Sequence, residues 1–209
     1  KNEIDTFVII APKGVYRNWS NIEIPVHLPD HIEKEICVWR PSPNKKEKEL
    51  LLSLLKEKVP GVLRIFVMNV EALSTAKGKS YLAALLKKSV TLLAIDESTA
   101  IKNPKAKRTK TIIKISRGAK YKRILTGSPV TQSPLDLWAQ CNFLSPTLLG
   151  ETGDNFFQYQ YRFAIMKKTT VGANSFNMVV GYKNLDKLNE LLKNFSSRIM
   201  KEECLDLPD

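Results

Sequence analysis

The chain has 209 residues, of which 43% are hydrophobic, enough to bury the core of one domain with a small appendage. Its formal net charge of +12 at pH 7 favours a polyanionic partner, with nucleic acid the first candidate and an anionic membrane surface the second. Three cysteines without a Cys-x-x-Cys pair argue against a disulfide framework or a zinc site and fit a reducing cytosol. The absence of a long apolar run or signal peptide argues against a membrane protein.

Predicted strands and helices alternate along the first 149 residues. Apolar runs predict strands at residues 6–11, 35–40, 63–68, 90–95 and 121–125. Between and after them, helices are predicted at residues 14–24, 45–58, 81–88, 104–116 and 134–143. This alternation predicts an α/β fold, in which a mostly parallel sheet is covered by helices on both faces.

From residue 150 onward the pattern changes, and residues 150–209 are predicted to form a small extension. It begins with an aromatic-rich segment at 155–163, which we expect to pack between the extension and the core. A β-hairpin is predicted at 165–182 around Gly172, Ala173 and Asn174, followed by a helix at 185–194.

Two carboxylates, Asp96 and Glu97, directly follow the strand predicted at 90–95. Open parallel sheets bind ligands at the carboxyl edge of their strands. One carboxylate there can hold the magnesium ion of a nucleotide, and the second can orient or deprotonate an attacking water. The alternative is an Asp that caps a helix beside a solvated Glu.

Two further motifs follow predicted strands. Thr126-Gly127-Ser128-Pro129 would lie beside the acidic pair, although an ordinary turn also explains its Gly and Pro. Pro12 and Lys13 open a helix, where backbone N–H groups and a lysine suit a phosphate; a plain helix-initiating turn is equally consistent. By contrast, Gly78-Lys79-Ser80 fails the phosphate-loop pattern, because the position that requires a glycine is Leu73.

Basic residues are concentrated between residues 98 and 135, where no Asp or Glu occurs. The span contains ten basic side chains: Lys102, Lys105, Lys107, Arg108, Lys110, Lys114, Arg117, Lys120, Lys122 and Arg123. Such a segment can track a phosphate backbone, although a solvated helix face is the default interpretation.

Five segments, in this order, resemble the motifs of one family. They are FVIIAPKGVYRNW (7–19), VMNVEAL (67–73), IDESTAIKN (95–103), RILTGSPVTQSPLDLWAQCNFLSP (123–146) and SSRIMKEECLDLP (196–208). Together they resemble the first motor lobe of superfamily-two helicases, in particular the Swi/Snf-like (DEAD/DEAH-type) ATPases, and most closely the versions of phage and bacteria. The third segment is similar to the family's Walker B motif, with Ser98-Thr99 where many relatives have Ala-His.

The resemblance implies a RecA-like lobe, an incomplete P-loop NTPase fold, over residues 1–149. It implies ATP and Mg²⁺ as cofactors, with Asp96 as the metal ligand and Glu97 as the catalytic group that acts on water. The coupling of nucleotide state to DNA grip would fall to Thr126, Gly127 and Ser128. With the basic span included, the nucleic-acid-binding residues would be Pro12, Lys13, Asn69, Lys102, Asn103, Lys105 and Arg108. The implied partners are double-stranded DNA and a second RecA-like lobe of the same parent chain, in a bacterial or phage-infected cytoplasm and associated with the nucleoid.

The sequence departs from the family pattern at both ends. The Walker A strand and its phosphate loop would precede Lys1, and the second lobe would follow Asp209, so we expect a fragment that hydrolyses ATP negligibly alone. A non-catalytic nucleic-acid-binding module with a motor-like fold is the alternative. A metal-dependent nuclease using Asp96 and Glu97 is a third option, which the scarcity of nearby carboxylates disfavours.

Overall fold

The computed structural model describes residues 3–56, 58–150, 153–171 and 174–199. The chain divides into two compact units, Lys1–Leu144 and Ser145–Asp209. Among the described residues, no helix has the length and apolar character needed to cross a membrane.

The first unit is built on five parallel strands, which confirms the predicted α/β fold with a parallel sheet. The strands are β1 (Thr6–Ala11), β2 (Lys34–Val38), β3 (Leu63–Asn69), β4 (Thr91–Asp96) and β5 (Tyr121–Leu125). Their order across the sheet is β2-β3-β1-β4-β5. The central strands read as continuous apolar runs because both of their faces are buried.

Helices cover both faces of this sheet. They are α1 (Tyr16–Asn18), α2 (Ile24–His27), α3 (Lys45–Ser53), α4 (Ala76–Lys88), α5 (Lys107–Ile115) and α6 (Leu137–Leu144). One core cluster joins Phe66 and Leu93 of the sheet to Leu82 of α4, and a second joins Ile9 and Ile65 to Tyr16 of α1. Two layers of buried apolar side chains therefore hold the strand ends, and the loops that follow them, in fixed positions.

The helix predicted at 14–24 forms, but the residues that it buries differ from those that the helical spacing of its apolar residues indicates. A π-helical turn, Trp19–Glu23, lies between α1 and α2, so the chain rotates less per residue than an α-helix would and its buried face shifts. As a result Tyr16 and Ile24 are buried, whereas Ile22, one of the apolar residues at helical spacing, is 54% exposed. The turn directs Trp19 toward the end of β4.

The Gly-Lys-Ser segment lies inside α4 and forms no phosphate loop. The helix begins five residues earlier than predicted because the Thr75 side chain caps it by accepting a hydrogen bond from Gly78 N–H. A Cβ at Gly78 would collide with the backbone oxygen of Ala72, which accounts for the glycine by close packing. The sequence-based rejection of this motif is thus confirmed.

Strand β5 forms one edge of the described sheet, since β4 is its one neighbour there. Its residues are half-buried or exposed, and Leu125 is 46% exposed. The side chains of β4 and of β1, the strand on its other side, are far better covered. This edge lies beside the acidic pair at the end of β4.

The second unit contains α7 (Phe156–Phe163), a hairpin of β6 (Ala164–Val171) and β7 (Asn174–Tyr182), and α8 (Leu185–Lys193). Asn155 caps the start of helix α7, because its side chain accepts hydrogen bonds from two backbone N–H groups of the first turn. Tyr159 and Phe163 are buried, with their ring centroids 4.8 Å apart. The predicted turn residues Gly172 and Ala173, and residues 200–208 of the last family-like segment, lie outside the described part of the chain.

Candidate functional site

The parallel sheet brings the predicted site residues to one edge. In the strand register Ala11 is level with Asn69, and Asp96 is level with Leu125. The segments that follow β1, β3, β4 and β5 therefore emerge side by side at the carboxyl ends of their strands. This is the edge at which open α/β sheets bind ligands.

Asp96 ends β4 with both carboxylate oxygens engaged. Its Oδ1 accepts a hydrogen bond from Glu97 N–H at 3.0 Å, and its Oδ2 accepts one from the indole Nε1–H of Trp19 at 2.8 Å. Each oxygen keeps a further lone pair for another ligand. The two donors fix the orientation of the carboxylate.

Glu97 has left-handed backbone dihedrals, with φ 48° and ψ 59°. A residue with a Cβ pays a conformational cost there, and such strain is concentrated at functional sites. The conformation turns the chain sharply from β4 into the 3-10 helix Ser98–Ile101 and leaves the Glu97 side chain exposed. The carboxylate is thus presented to solvent beside Asp96.

The Thr-Gly-Ser motif lies next to Glu97. Thr126 Oγ1 donates to Glu97 Oε2 at 3.5 Å, and it accepts a hydrogen bond from Ser128 N–H at 3.3 Å. Gly127 is exposed with no heavy atom near the position of a Cβ. The structure therefore brings the predicted catalytic and coupling residues into contact.

A buried amide connects the acidic loop to the Thr-Gly-Ser-Pro loop. Ser98 Oγ donates to Gln140 Oε1 at 2.6 Å, and Gln140 Nε2 donates to Pro129 O at 2.8 Å. Both Ser98 and Gln140 are fully buried. Because a buried hydrogen-bonded network has little freedom to rearrange, the positions of the two loops are linked.

A second connection passes through Asp136. Its Oδ2 accepts hydrogen bonds from Thr131 N–H at 3.1 Å, Thr131 Oγ1 at 2.9 Å and Gln132 N–H at 2.9 Å, and it pairs with Lys102 Nζ at 3.4 Å. Burial acts to raise the pKa of Asp136, but these hydrogen bonds and the charge of Lys102 outweigh it and lower the pKa. Lys102 is predicted to contact nucleic acid, and its pairing with Asp136 thus also stabilises the loop that contains Thr131 and Gln132.

The residues after β1 and β3 form a second group at the same edge. Asn69 Nδ2 donates to Glu71 Oε2 at 2.9 Å, and Pro12 and Lys13 lie at the end of the neighbouring strand. Burial acts to raise the pKa of Glu71, but hydrogen bonds from Asn69 and the Lys13 backbone, together with the Arg108 charge, lower it. Lys13 and Asn69 line a cavity of about 530 Å³ with Tyr16 and Trp39.

The basic span has both exposed and engaged members. Lys105 and Lys107 are exposed, and Asn103 caps the turn before them by accepting from Lys105 N–H at 2.9 Å. Arg108 instead donates through Nε to Ala100 O at 2.7 Å, behind the acidic loop. The exposed lysine side chains can therefore bind an anion without breaking a hydrogen bond such as the one that Arg108 makes.

The acidic edge suits a magnesium ion that is held largely by phosphate and water. Among the described residues no group of three or more His, Cys, Asp or Glu could enclose a metal ion. Mg²⁺ commonly binds proteins through one or two carboxylates and keeps its other ligands from substrate phosphates and water. The oriented carboxylate of Asp96 fits that role, since its two oxygens accept from an indole and a backbone amide rather than from a cation.

The sequence patterns did not indicate the roles of three residues of this site. Trp19 reads from the sequence as a core residue, whereas its indole fixes Asp96. Gln140 and Asp136 were not singled out, although each joins two loops. A polar residue inside the apolar run LWAQCNFL was the one available signal for Gln140, because buried amides need partners.

Comparison with known proteins gives a consistent set of similarities. The SNF2-related domain family matches residues 1–209. Protein CHROMATIN REMODELING 24 of Arabidopsis thaliana is 31% identical over 111 residues, which is 53% of this chain and 10% of that protein. The TATA-binding protein-associated factor MOT1 of Saccharomyces cerevisiae is 32% identical over 128 residues, 61% of this chain and 7% of that protein.

A solved structure, the Sulfolobus solfataricus SWI2/SNF2 ATPase core in complex with dsDNA, has the same fold. Its TM-score is 0.51 at 23% identity, and the match covers 78% of this chain and 29% of that one. The chain therefore spans a small part of the length of each of these proteins. The expected location in a bacterial or phage-infected cytoplasm, associated with the nucleoid, is wrong, because these relatives are plant and yeast proteins and one is named for chromatin remodelling.

Proposed function

The chain belongs to the SNF2-related domain family, and we propose that it forms part of the first motor lobe of a DNA-dependent ATPase that couples ATP hydrolysis to movement along double-stranded DNA. The observation that carries this proposal is the contact at the end of β4. There the strained Glu97 lies beside the oriented Asp96 and within 3.5 Å of Thr126.

Asp96 and Glu97 divide the work at the nucleotide. Asp96 would hold the Mg²⁺ that accompanies ATP, a group that supplies neutralisation of the phosphate charge when bound. Glu97 orients the attacking water and accepts its proton, which requires an exposed and ionised carboxylate near the phosphates. The fixed donors around Asp96 keep the two carboxylates in a constant relation.

The two connections, through Gln140 and through Asp136, would couple the nucleotide state to DNA binding. A shift of Glu97 on hydrolysis would move Ser98, and Gln140 would pass that displacement to Pro129. Lys102 and Asp136 join the basic segment to the same loop. Among the residues proposed to contact DNA, Lys102 and its neighbours Asn103 and Lys105 would thereby respond to the nucleotide.

Charge supports nucleic acid as the partner of the first unit. Residues 1–144 contain 25 Lys and Arg and 13 Asp and Glu, whereas residues 145–209 contain eight of each. The whole excess of 12 positive charges therefore lies in the unit that carries the sheet edge. Phosphate contacts made by such a surface provide affinity without sequence preference.

Replacing Lys105, Lys107 and Lys110 with alanine should flatten the salt dependence of duplex DNA binding. All three side chains are exposed, and removing one phosphate-binding lysine should reduce the slope of log K against log salt by about 0.9. Fluorescence anisotropy with a labelled 20-base-pair duplex at several salt concentrations measures the slope. The matched control replaces Lys45, Lys46 and Lys48, which are exposed on α3; an equal effect there would remove the basic segment from the interface.

The isolated 209-residue chain should hydrolyse ATP negligibly, since its sequence has no Gly-x-x-x-x-Gly-Lys-Ser/Thr segment to hold the phosphates. Phosphate release should appear when the chain is joined to its native flanking sequence, and duplex DNA should stimulate it. Steady turnover by the isolated chain would contradict the expectation that hydrolysis needs a phosphate-binding segment that this sequence does not contain.

A non-catalytic nucleic-acid-binding module remains the second candidate. It is favoured by Ser98-Thr99, which stand where the Walker B-like motif of many relatives has Ala-His. The extended protein separates the two candidates, because the module would bind DNA with the same salt dependence but would release no phosphate.

A further inference from the structure

Helix α7 of the second unit presents two aromatic rings to solvent. Phe157 is 75% exposed and Tyr161 is 76% exposed, while Tyr159 and Phe163 of the same helix are buried. Core packing therefore accounts for only part of the aromatic segment. Large aromatic side chains exposed to this degree on neighbouring turns mark a binding surface.

The two rings line a groove that also carries positive charge. The groove has a volume of about 590 Å³ and is lined by Phe157, Gln158, Tyr161, Arg162, Lys183 and Asn184. Lys183 Nζ lies 4.9 Å from the centroid of the Tyr161 ring. The described lining thus consists of two cations, two amides and two rings, without a carboxylate.

We propose that this groove binds single-stranded nucleic acid, with an unpaired base stacked on Phe157 or Tyr161 and the neighbouring phosphates on Lys183 and Arg162. The two residues are four positions apart on a helix, so both rings project from the same helix face, about one turn apart. Exposed rings beside cations are the arrangement by which proteins hold single strands without sequence preference.

Charge favours a nucleic-acid strand over an apolar peptide as the occupant. Residues 145–209 contain equal numbers of basic and acidic residues, but the described groove lining itself carries Arg162 and Lys183 and no Asp or Glu. The Gln158 and Asn184 amides can pair with the polar edges of a base, although Asn184 Nδ2 already donates to Arg162 O at 2.8 Å. The site adds a single-strand contact to the proposed function and does not depend on ATP hydrolysis.

The test uses the 209-residue chain and a labelled 12-nucleotide oligo(dT). Replacing Phe157 and Tyr161 together with alanine should weaken binding between about fivefold and 150-fold, the range for losing one stacked base. The control is Phe176→Ala, which removes another exposed ring, 49% exposed, from strand β7 of the same unit. It should change binding less than twofold, and all variants should keep the wild-type melting temperature because the rings are exposed.

A labelled 20-base-pair duplex provides the second comparison. Its binding should be unchanged in the Phe157→Ala/Tyr161→Ala variant, because paired bases cannot reach the rings. Unchanged oligo(dT) binding would overturn the proposal. An equal loss for both ligands would also overturn it. Failure of the proposed motor function would appear elsewhere, as an extended protein that binds duplex DNA but releases no phosphate.

Discussion

Replacing Glu97 with glutamine is expected to lower DNA-stimulated ATP turnover at least about 100-fold in the chain joined to its native flanking sequence. Glutamine keeps the shape of the side chain but cannot accept the proton of the attacking water. The backbone conformation and a hydrogen bond to Thr126 can both persist, so the loss should fall on kcat with little change in KM for ATP. Steady-state phosphate release with saturating duplex DNA measures both constants.

The matched control is Glu49→Gln, which removes another exposed carboxylate, from α3. It should leave turnover unchanged, and both variants should bind duplex DNA as the wild type does. Turnover within a few-fold of wild type in the Glu97→Gln protein would show that another group acts on the water. The assignment of Glu97 as the catalytic base would then be wrong.

Replacing Asp136 with alanine should lower the free energy of unfolding of the first unit by about 3 kcal/mol. The change leaves two backbone N–H groups without their acceptor and Lys102 without its carboxylate in a largely buried position. Urea unfolding followed by tryptophan fluorescence reports on this unit, because Trp19, Trp39 and Trp138 all lie in it. The control Asp30→Ala removes an exposed carboxylate and should have little effect.

The stability contributed by the Asp136 charge should also depend on pH. Its pKa is lowered from 3.8 in the folded protein, so the contribution is complete above the unfolded pKa and is lost as pH falls through the folded one. The stability difference between wild type and Asp136→Asn should be constant above about pH 5 and shrink below about pH 4. A difference that stays constant from about pH 6 to about pH 3 would mean that the charge of Asp136 does not stabilise the fold.

The sheet was largely predictable because its central strands are apolar on both faces. Residues 6–11 and 121–125 form strands with the predicted bounds, and Asp96 stands at the end of β4 as expected. The placement of the acidic pair beside Thr126 followed from parallel strand order alone. Local patterns of hydrophobic residues and turn residues carry that information.

The supporting contacts could not be predicted, because they join residues far apart in the chain. The hydrogen bond from Trp19 to Asp96 spans 77 positions and depends on a π-helical turn that no local pattern indicated. The Ser98–Gln140 bond spans 42 positions within the core. Counting charges likewise identified Lys102 as a basic surface residue, whereas its pairing with Asp136 depends on how the loop folds.

The exposed edge of β5 has a consequence for the behaviour of the purified chain. An unpaired strand edge offers N–H and C=O groups to any extended segment, whether a strand that completes the sheet or a strand of another copy. A strand added in parallel to β5 would end beside Thr126, so sheet completion would bring its following loop to the nucleotide side. Without such a strand, the half-exposed β5 with Leu125 is open to intermolecular pairing, and Lys122 and Arg123 are the charges that oppose aggregation there.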